Sequence, residues 1–370
     1  MAHRVLFIDA SYPAFIATVY GPDATLSLRS YDEQLAAIDA GLFGEAQFQV
    51  HALRSLGHDA SRVIVNAAPL QAAWRREHSR TRADRIEWRL RRNLVPWPSR
   101  RLDPWPTMFA QVEAIRPDII YVEIVDTMPP SVVERLTRHA FVVGQLATAI
   151  PSQIELARYN LIISSIPSIV SQAAASGTTS AYLPLAFEPR LAEEIKPVER
   201  TVPASFVGSF SDRYADRVDI LEAVAERAPL SVWTSDTAQL PEMSILRGRI
   251  RGAAFGRQMY ETMNQSLITL NTHGIVSGNA ANNLRLFEAT GMGALLITDR
   301  RNNLGDLFEP GTEVVTYSHP EEAAEATAYY VEHPKEAAQI AEAGRQRTLR
   351  EHTWADRMAR TIEFIDRVSS

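Results

Sequence analysis

Residues 267–299 place the tightest constraint on the fold, because two short apolar runs, 267–271 and 294–298, flank a loop of Gly, Ser and Asn and one amphipathic segment. The apolar runs read as buried strands, 272–282 as a loop, and 283–290 as a helix. A strand that returns through a helix to another strand belongs to a parallel sheet. The same alternation recurs from 4–9 onward, so the chain reads as α/β with doubly wound parallel sheets.

Within this stretch, Asn282 or Asn283 is suited to cap the helix, Leu284 and Phe287 give it an apolar face, and Gly291 and Gly293 stop it. A helix amino end opening into a polar loop offers N–H groups and partial positive charge to a phosphate. Glu288 falls in the second turn, where it either accepts from ribose hydroxyls or stands exposed as an ordinary helix glutamate. Arg285 shares that helix. Asn271, His273 and Asn279 border the loop, and His273 reads as the most exposed histidine of the stretch.

The chain has 370 residues, more than one compact domain usually holds. Residues 186–203 carry Pro189, Pro197 and Pro203 without sustained periodicity and form the best boundary. This divides the chain into a first domain (1–188), a linker (189–203), a second domain (204–350) and a final helical segment (351–370). After the linker the alternation restarts: strand 204–207, helix 212–227, strand 230–233. Gly208 and Ser209 make the turn between the first two, and Arg213 and Arg217 share one face of the helix, suited either to a diphosphate or to pairing with neighbouring aspartates. Gly252 reads as a turn residue.

In the first domain, strand 4–9 delivers Asp9, Ser11 and Tyr12 to a loop. Residues 30–56 read as one helix and 62–65 as the next strand. Runs at 118–125 and 141–143 follow, with Glu123, Asp126 and Gln145 at their ends as an acceptor-side wall. At the far end, Trp354, Met358, Ile362, Ile365 and Val368 form a helical stripe.

The stretch Asn283-Leu-Arg285-Leu-Phe287-Glu288-Ala-Thr-Gly291, followed by a Leu-Leu-Ile-Thr-Asp strand, resembles the donor-binding half of GT-B glycosyltransferases, and most of all the CgeB-like group. The likeness extends to Phe206-Val-Gly208-Ser209, to Tyr31-Asp-Glu-Gln34, to 183–189 and to Glu351-His352-Thr353-Trp354. It implies two Rossmann-like domains facing a central cleft, with the C-terminal helix crossing back to the first. It also implies a metal-independent transferase that moves a sugar from a UDP- or dTDP-linked donor to a hydroxyl or amine, with no cofactor. Glu288 would hold the ribose, Gly252 would meet the base, Asn271, His273 and Asn279 would border the donor sugar, and Arg213, Arg217 and the helix amino end near Asn283 would stabilise the leaving diphosphate. Related enzymes carry a glutamate eight positions before Glu288, where this chain has Ala280. An inverting reaction would draw on Asp9 or Asp126 as base, with His273 as a further catalytic candidate; a front-face retaining reaction needs none.

Several absences narrow the field. There is no cysteine, no Walker loop, no Asp-x-Asp pair and no zinc-spaced histidine pair. Neither a signal peptide nor a spanning apolar run is visible, so a cytoplasmic protein is expected. A net charge of −6 argues against nucleic acid as a partner. Ten arginines between 74 and 101, from Arg75 to Arg101, form a basic segment that is either a solvated face or a peripheral contact with anionic membrane. Two rivals share the scaffold: an epimerase acting on the nucleotide sugar, and a binding subunit that lacks turnover.

Overall fold

The computed structural model describes residues 2–78, 103–211 and 216–369. Two parallel sheets carry the fold. The first contains β1 (Arg4–Asp9), β2 (Asp59–Ile64), β3 (Ile119–Val122), β4 (Phe141–Leu146), β5 (Leu161–Ser164) and β6 (Ser180–Tyr182), ordered β2-β1-β3-β4-β5-β6. The second contains β7 (Val202–Val207), β8 (Leu230–Trp233), β9 (Ser266–Asn271), β10 (Leu295–Asp299) and β11 (Val315–Tyr317), ordered β11-β10-β9-β7-β8. This is the α/β, twice doubly wound architecture that the alternation of apolar runs predicts. By contact density the chain divides into one unit of residues 1–145 with 158–160 and another of 146–157 with 161–370.

The strands are buried on both faces, as parallel sheets demand. All four residues of β3 and of β5 are buried, as are Val5 to Asp9 of β1. Each sheet has one place where strand order reverses. In the first, the chain steps outward from β1 to β2 and then returns to the other side of β1 as β3. In the second, it steps from β7 to β8 and returns beside β7 as β9. Crevices at the carboxyl ends of strands flanking such a reversal are where open α/β sheets bind ligands.

Local chemistry moves several boundaries. The single helix expected over 30–56 is two, Tyr31–Asp39 and Glu45–Ser55. Between them Leu42 has φ 55° and Gly44 has φ 100°, a left-handed passage no helix can contain. Tyr31–Asp39 opens with a capping box in which Ser30 and Glu33 satisfy each other's backbone. The stretch 186–203 holds a short helix, Arg190–Glu194, after Pro189. Arg76 lies in the last turn of the helix Ala68–His78 and donates to Arg29 O at 2.8 Å; the rest of the basic segment, 79–102, lies outside the described residues.

The last helix, Trp354–Ser369, belongs to the second unit. Its predicted stripe is buried from Trp354 through Ile365, while Val368 is exposed. Its start is fixed by His352, whose Nε2 donates to Leu307 O and whose Nδ1 accepts from Arg357, each at 2.8 Å. Burial pushes the imidazole down to about 4. Arg357 also donates to Pro184 O at 3.0 Å.

Gly291 is not a helix stop as the sequence suggested. It is the last residue of the helix Arg285–Gly291, and the left-handed residue is Gly293 at φ 75°. Gly291 is small because the Phe187 ring lies on it: a Cβ there would stand 2.6 Å from three ring carbons. Helix propensity alone would favour alanine by about 1 kcal/mol. Overpacking costs about 1–3 kcal/mol, so Gly291→Ala should lower stability in urea unfolding, and Gly291→Ala with Phe187→Leu should recover most of it.

Candidate functional site

The reversal point of the second sheet gathers most of the residues that the sequence marks. The turn Gly208-Ser209 follows β7, and Asn271, Thr272 and His273 follow β9. Two arginines lace these ends together. Arg217, the first residue of the helix Arg217–Arg227, is buried and donates through Nη1 to Ser209 O at 2.6 Å, through Nε to Thr272 Oγ1 at 2.7 Å and through Nη2 to Thr272 O at 2.9 Å. Its guanidinium therefore ties both strand ends together through neutral oxygens. Arg285 donates through Nη2 to Val207 O at 3.0 Å. Arg213 lies outside the described residues.

The helix after the loop starts at Arg285, two residues later than its sequence suggested, so Glu288 sits in the first turn. Leu284 occupies the N-cap position, and the capping side chain is that of Asn283, whose Oδ1 accepts from Leu286 N at 3.3 Å. Its Nδ2 donates to Asn271 Oδ1 at 2.8 Å, and Asn271 in turn donates to Thr298 Oγ1 at 2.9 Å. Asn271 and Asn283 thus brace the loop against β9 and β10. Asn282 is buried with its Oδ1 unpartnered among the described residues. Asn279 and Gly252 are exposed, Gly252 at φ 105°.

Glu288 is not an exposed helix glutamate. It is buried, with Oε2 accepting from Arg285 Nη1 at 2.6 Å and Oε1 from the Tyr260 hydroxyl at 3.1 Å. Each oxygen retains a lone pair, so the carboxylate is held in place and can still accept from a ligand. Tyr260 comes from the helix Arg257–Gln265, where its burial reads in sequence as ordinary core packing.

The expectation of an exposed His273 is overturned: its side chain is fully buried. Nδ1 meets Asp299 Oδ1 at 2.6 Å, and the same oxygen accepts from His273 N at 3.1 Å. Asp299, the last residue of β10, also takes Arg301 Nε at 2.7 Å. Burial opposes its ionisation, yet the bonds and charges of His273 and Arg301 outweigh it and hold the carboxyl below its ordinary value. With Nδ1–H directed at the carboxylate, Nε2 is the ring's remaining polar atom, and it has no partner among the described residues. Asp299 and Arg301 were missed from sequence; the available signal was a carboxylate at the carboxyl end of a central strand.

In the first sheet, Asp9 and Asp126 part company. Asp126 is exposed in the short turn Val125–Thr127. Asp9 is buried, and its Oδ2 accepts from Arg62 Nη1 at 3.0 Å. Burial pushes its carboxyl up to about 6, against the opposing pull of Arg62.

Residues 216–363 match the Glycosyl transferase-like family. Over nearly their whole length, solved structures superpose on this chain. A sucrose-phosphate synthase from Thermosynechococcus elongatus gives a TM-score of 0.61 at 11% identity, with 99% of each chain covered. A glycosyltransferase from Rickettsia africae gives 0.58 at 12% identity, covering 100% of this chain and 99% of the other. HepE from Anabaena, solved with UDP and glucose, gives 0.56 at 13% identity, covering 98% and 99%. The fold is that of the GT-B glycosyltransferases. No curated protein matches the sequence. Among the described residues, no helix is long and apolar enough to cross a membrane.

The raised Asp9 carboxyl predicts a pH dependence. A folded-state value of about 6 against an ordinary 3.8 means that folding favours the protonated form. That contribution is complete below the ordinary value and is lost as pH rises through about 6. Asp9→Asn should therefore flatten the fall of melting temperature between pH 4 and 7, measured against the parent protein.

Proposed function

We propose that this chain is a metal-independent glycosyltransferase, moving a sugar from a UDP- or dTDP-linked donor to an acceptor hydroxyl or amine. The observation that carries the reading is Glu288: a carboxylate buried at the reversal point, fixed by Arg285 and Tyr260, with lone pairs left for the two hydroxyls of a ribose. The matched family and the fold of its neighbours support it.

The donor lies along the ends of β7 and β9. Backbone near Gly252 meets the base, and Glu288 holds the pentose. Arg217, already pinned to Ser209 and Thr272, adds positive potential where the diphosphate sits, together with Arg213. Leaving-group charge is thus met by guanidinium and backbone N–H groups, with no metal. The sugar is bordered by Asn279, Asn282 and His273. As a neutral ring, His273 accepts at Nε2; once protonated it donates there, and Asp299 stabilises the imidazolium. Asp9 or Asp126 would serve as base if the reaction inverts.

Ala280 favours a second reading, because related enzymes hold the donor sugar with a glutamate at this position. A nucleotide-sugar-binding subunit without turnover would keep Glu288 and lack that residue.

Incubation with a panel of nucleotide sugars, with and without cell extract, separates the readings. Acceptor-dependent release of nucleotide marks transfer, altered sugar without release marks epimerisation, and binding alone marks the subunit. Glu288→Ala should weaken UDP binding by about 1–3 kcal/mol, the cost of lost hydrogen bonds to a charged group; unchanged affinity in calorimetry would remove Glu288 from the site. His273→Asn should lower the transfer rate at least tenfold while UDP affinity stays within about threefold, and an unaltered rate would assign the imidazole to loop structure alone.

A further inference from the structure

The reversal point of the first sheet has an equally built interior, with the opposite chemistry. β1 and β3 lie side by side with Ile8 opposite Val122, and Glu123 N donates to Ile8 O at 3.0 Å. β3 and β4 pair Val122 with Gly144. Continuing each register by one residue sets Asp9, Glu123 and Gln145 in a row across three neighbouring strand ends, on the face that carries the packed, tilted rings of Phe7 and Tyr121. The first turns of the helix Glu45–Ser55 meet this row. Gln145 Nε2 donates to Glu45 Oε2 at 3.1 Å, and Gln145 Oε1 accepts from Tyr121 Oη at 2.6 Å and from Gln49 Nε2 at 3.2 Å.

What the cluster lacks is donors. Asp9 Oδ2 is taken by Arg62, but Asp9 Oδ1, Gln49 Oε1 and Glu123 Oε1 are buried acceptors with no partner among the described residues. Asp9 is 5% exposed and Gln49 0%. Arg62, shared between Asp9 and Asp39, also lies within electrostatic reach of Glu123. Burial followed by the charges of Glu45 and Asp9 pushes Glu123 well above the carboxylate range. Leaving such oxygens unmet is costly, so the arrangement suits a ligand that brings N–H groups and positive charge. Among the described residues, no three acidic or histidine side chains converge as metal ligands do.

We propose that Asp9, Gln49 and Glu123 form a recognition site for a primary ammonium group, whose three N–H donors match the three open acceptors. The acceptor substrate is then an amine-bearing molecule such as an amino sugar. The proposal rests on the transferase reading only in naming that ligand an acceptor.

The test uses the full chain without nucleotide. Glucosamine, glucose and ammonium chloride are titrated at matched ionic strength and pH 7, by calorimetry in two buffers of different ionisation enthalpy. Glucosamine should bind at least tenfold more tightly than glucose, and Glu123→Gln should abolish that preference. Gln49→Leu, which leaves all the charges in place, should weaken glucosamine several-fold and serves if Glu123→Gln fails to fold. Equal binding of glucosamine and glucose, or a preference that survives in both variants, would overturn the site. Ammonium ion binding as tightly as glucosamine would overturn its role in holding an acceptor. UDP affinity is measured in parallel: its loss in the parent protein counts against the transferase reading, whereas glucosamine discrimination tests the ammonium site alone.

Discussion

The second sheet depends on one buried guanidinium. Strand order reverses between β7 and β9, which leaves two strand ends whose following segments diverge to opposite sides. Nothing in the ladder itself holds those segments together beyond the last paired residues. Arg217 does so, reaching from the first turn of its helix to Ser209 O on one side and to both oxygens of Thr272 on the other. A planar fork with donors at fixed angles can span two backbones in this way, whereas an ammonium cannot. The loop that carries His273 is therefore positioned by the same group that brings positive charge to the reversal point.

A second layer of bonds makes that loop specific. Asn283 caps the following helix and clasps Asn271, and the Tyr317 hydroxyl donates to Asn271 O at 2.7 Å, so three strands share one asparagine. Glu288 is held by Arg285 and the Tyr260 hydroxyl, and Asp299 by Arg301, by the ring and backbone N–H of His273 and by the Thr298 hydroxyl. Buried carboxylates arranged so pre-set the geometry before a ligand arrives, which is what stabilising a developing charge requires. The partnerless Nε2 of His273 stands out against this background, since nearly every other polar group around it is satisfied.

Much of this was legible in the sequence. The apolar runs gave the strand alternation and the parallel sheets because burial on both faces forces continuous hydrophobic stretches. Glu288 and Arg217 were visible as charged residues at fixed offsets from strand ends. Their surroundings were not. The burial of His273 depends on Asp299, twenty-six positions away on another strand, and no local pattern encodes that. The break inside 30–56 was obscured because Leu42 adopts a left-handed conformation that glycine usually marks. Gly291 looked like a stop because its real constraint, the Phe187 ring, lies far off in sequence.

The two reversal points solve one topological problem with opposite charges. In the second sheet, Arg217 and Arg285 each donate to a backbone carbonyl at a strand end, and the carboxylates of Glu288 and Asp299 are paired with arginines. In the first, the carboxyls of Asp9 and Glu123 stand at neighbouring strand ends near Arg62, and Asp9 Oδ1 and Glu123 Oε1 have no partner among the described residues. A sheet that needed only stability at such a point would fill it with apolar side chains, since buried charge is poor evidence of stabilisation. Under the proposed function, the cost of leaving Asp9 and Glu123 short of donors would be offset by a bound ammonium, and Arg217 would add positive potential for a phosphate. A transferase that takes an anionic donor and a cationic acceptor would distinguish its two substrates by sign of charge before any finer contact is made.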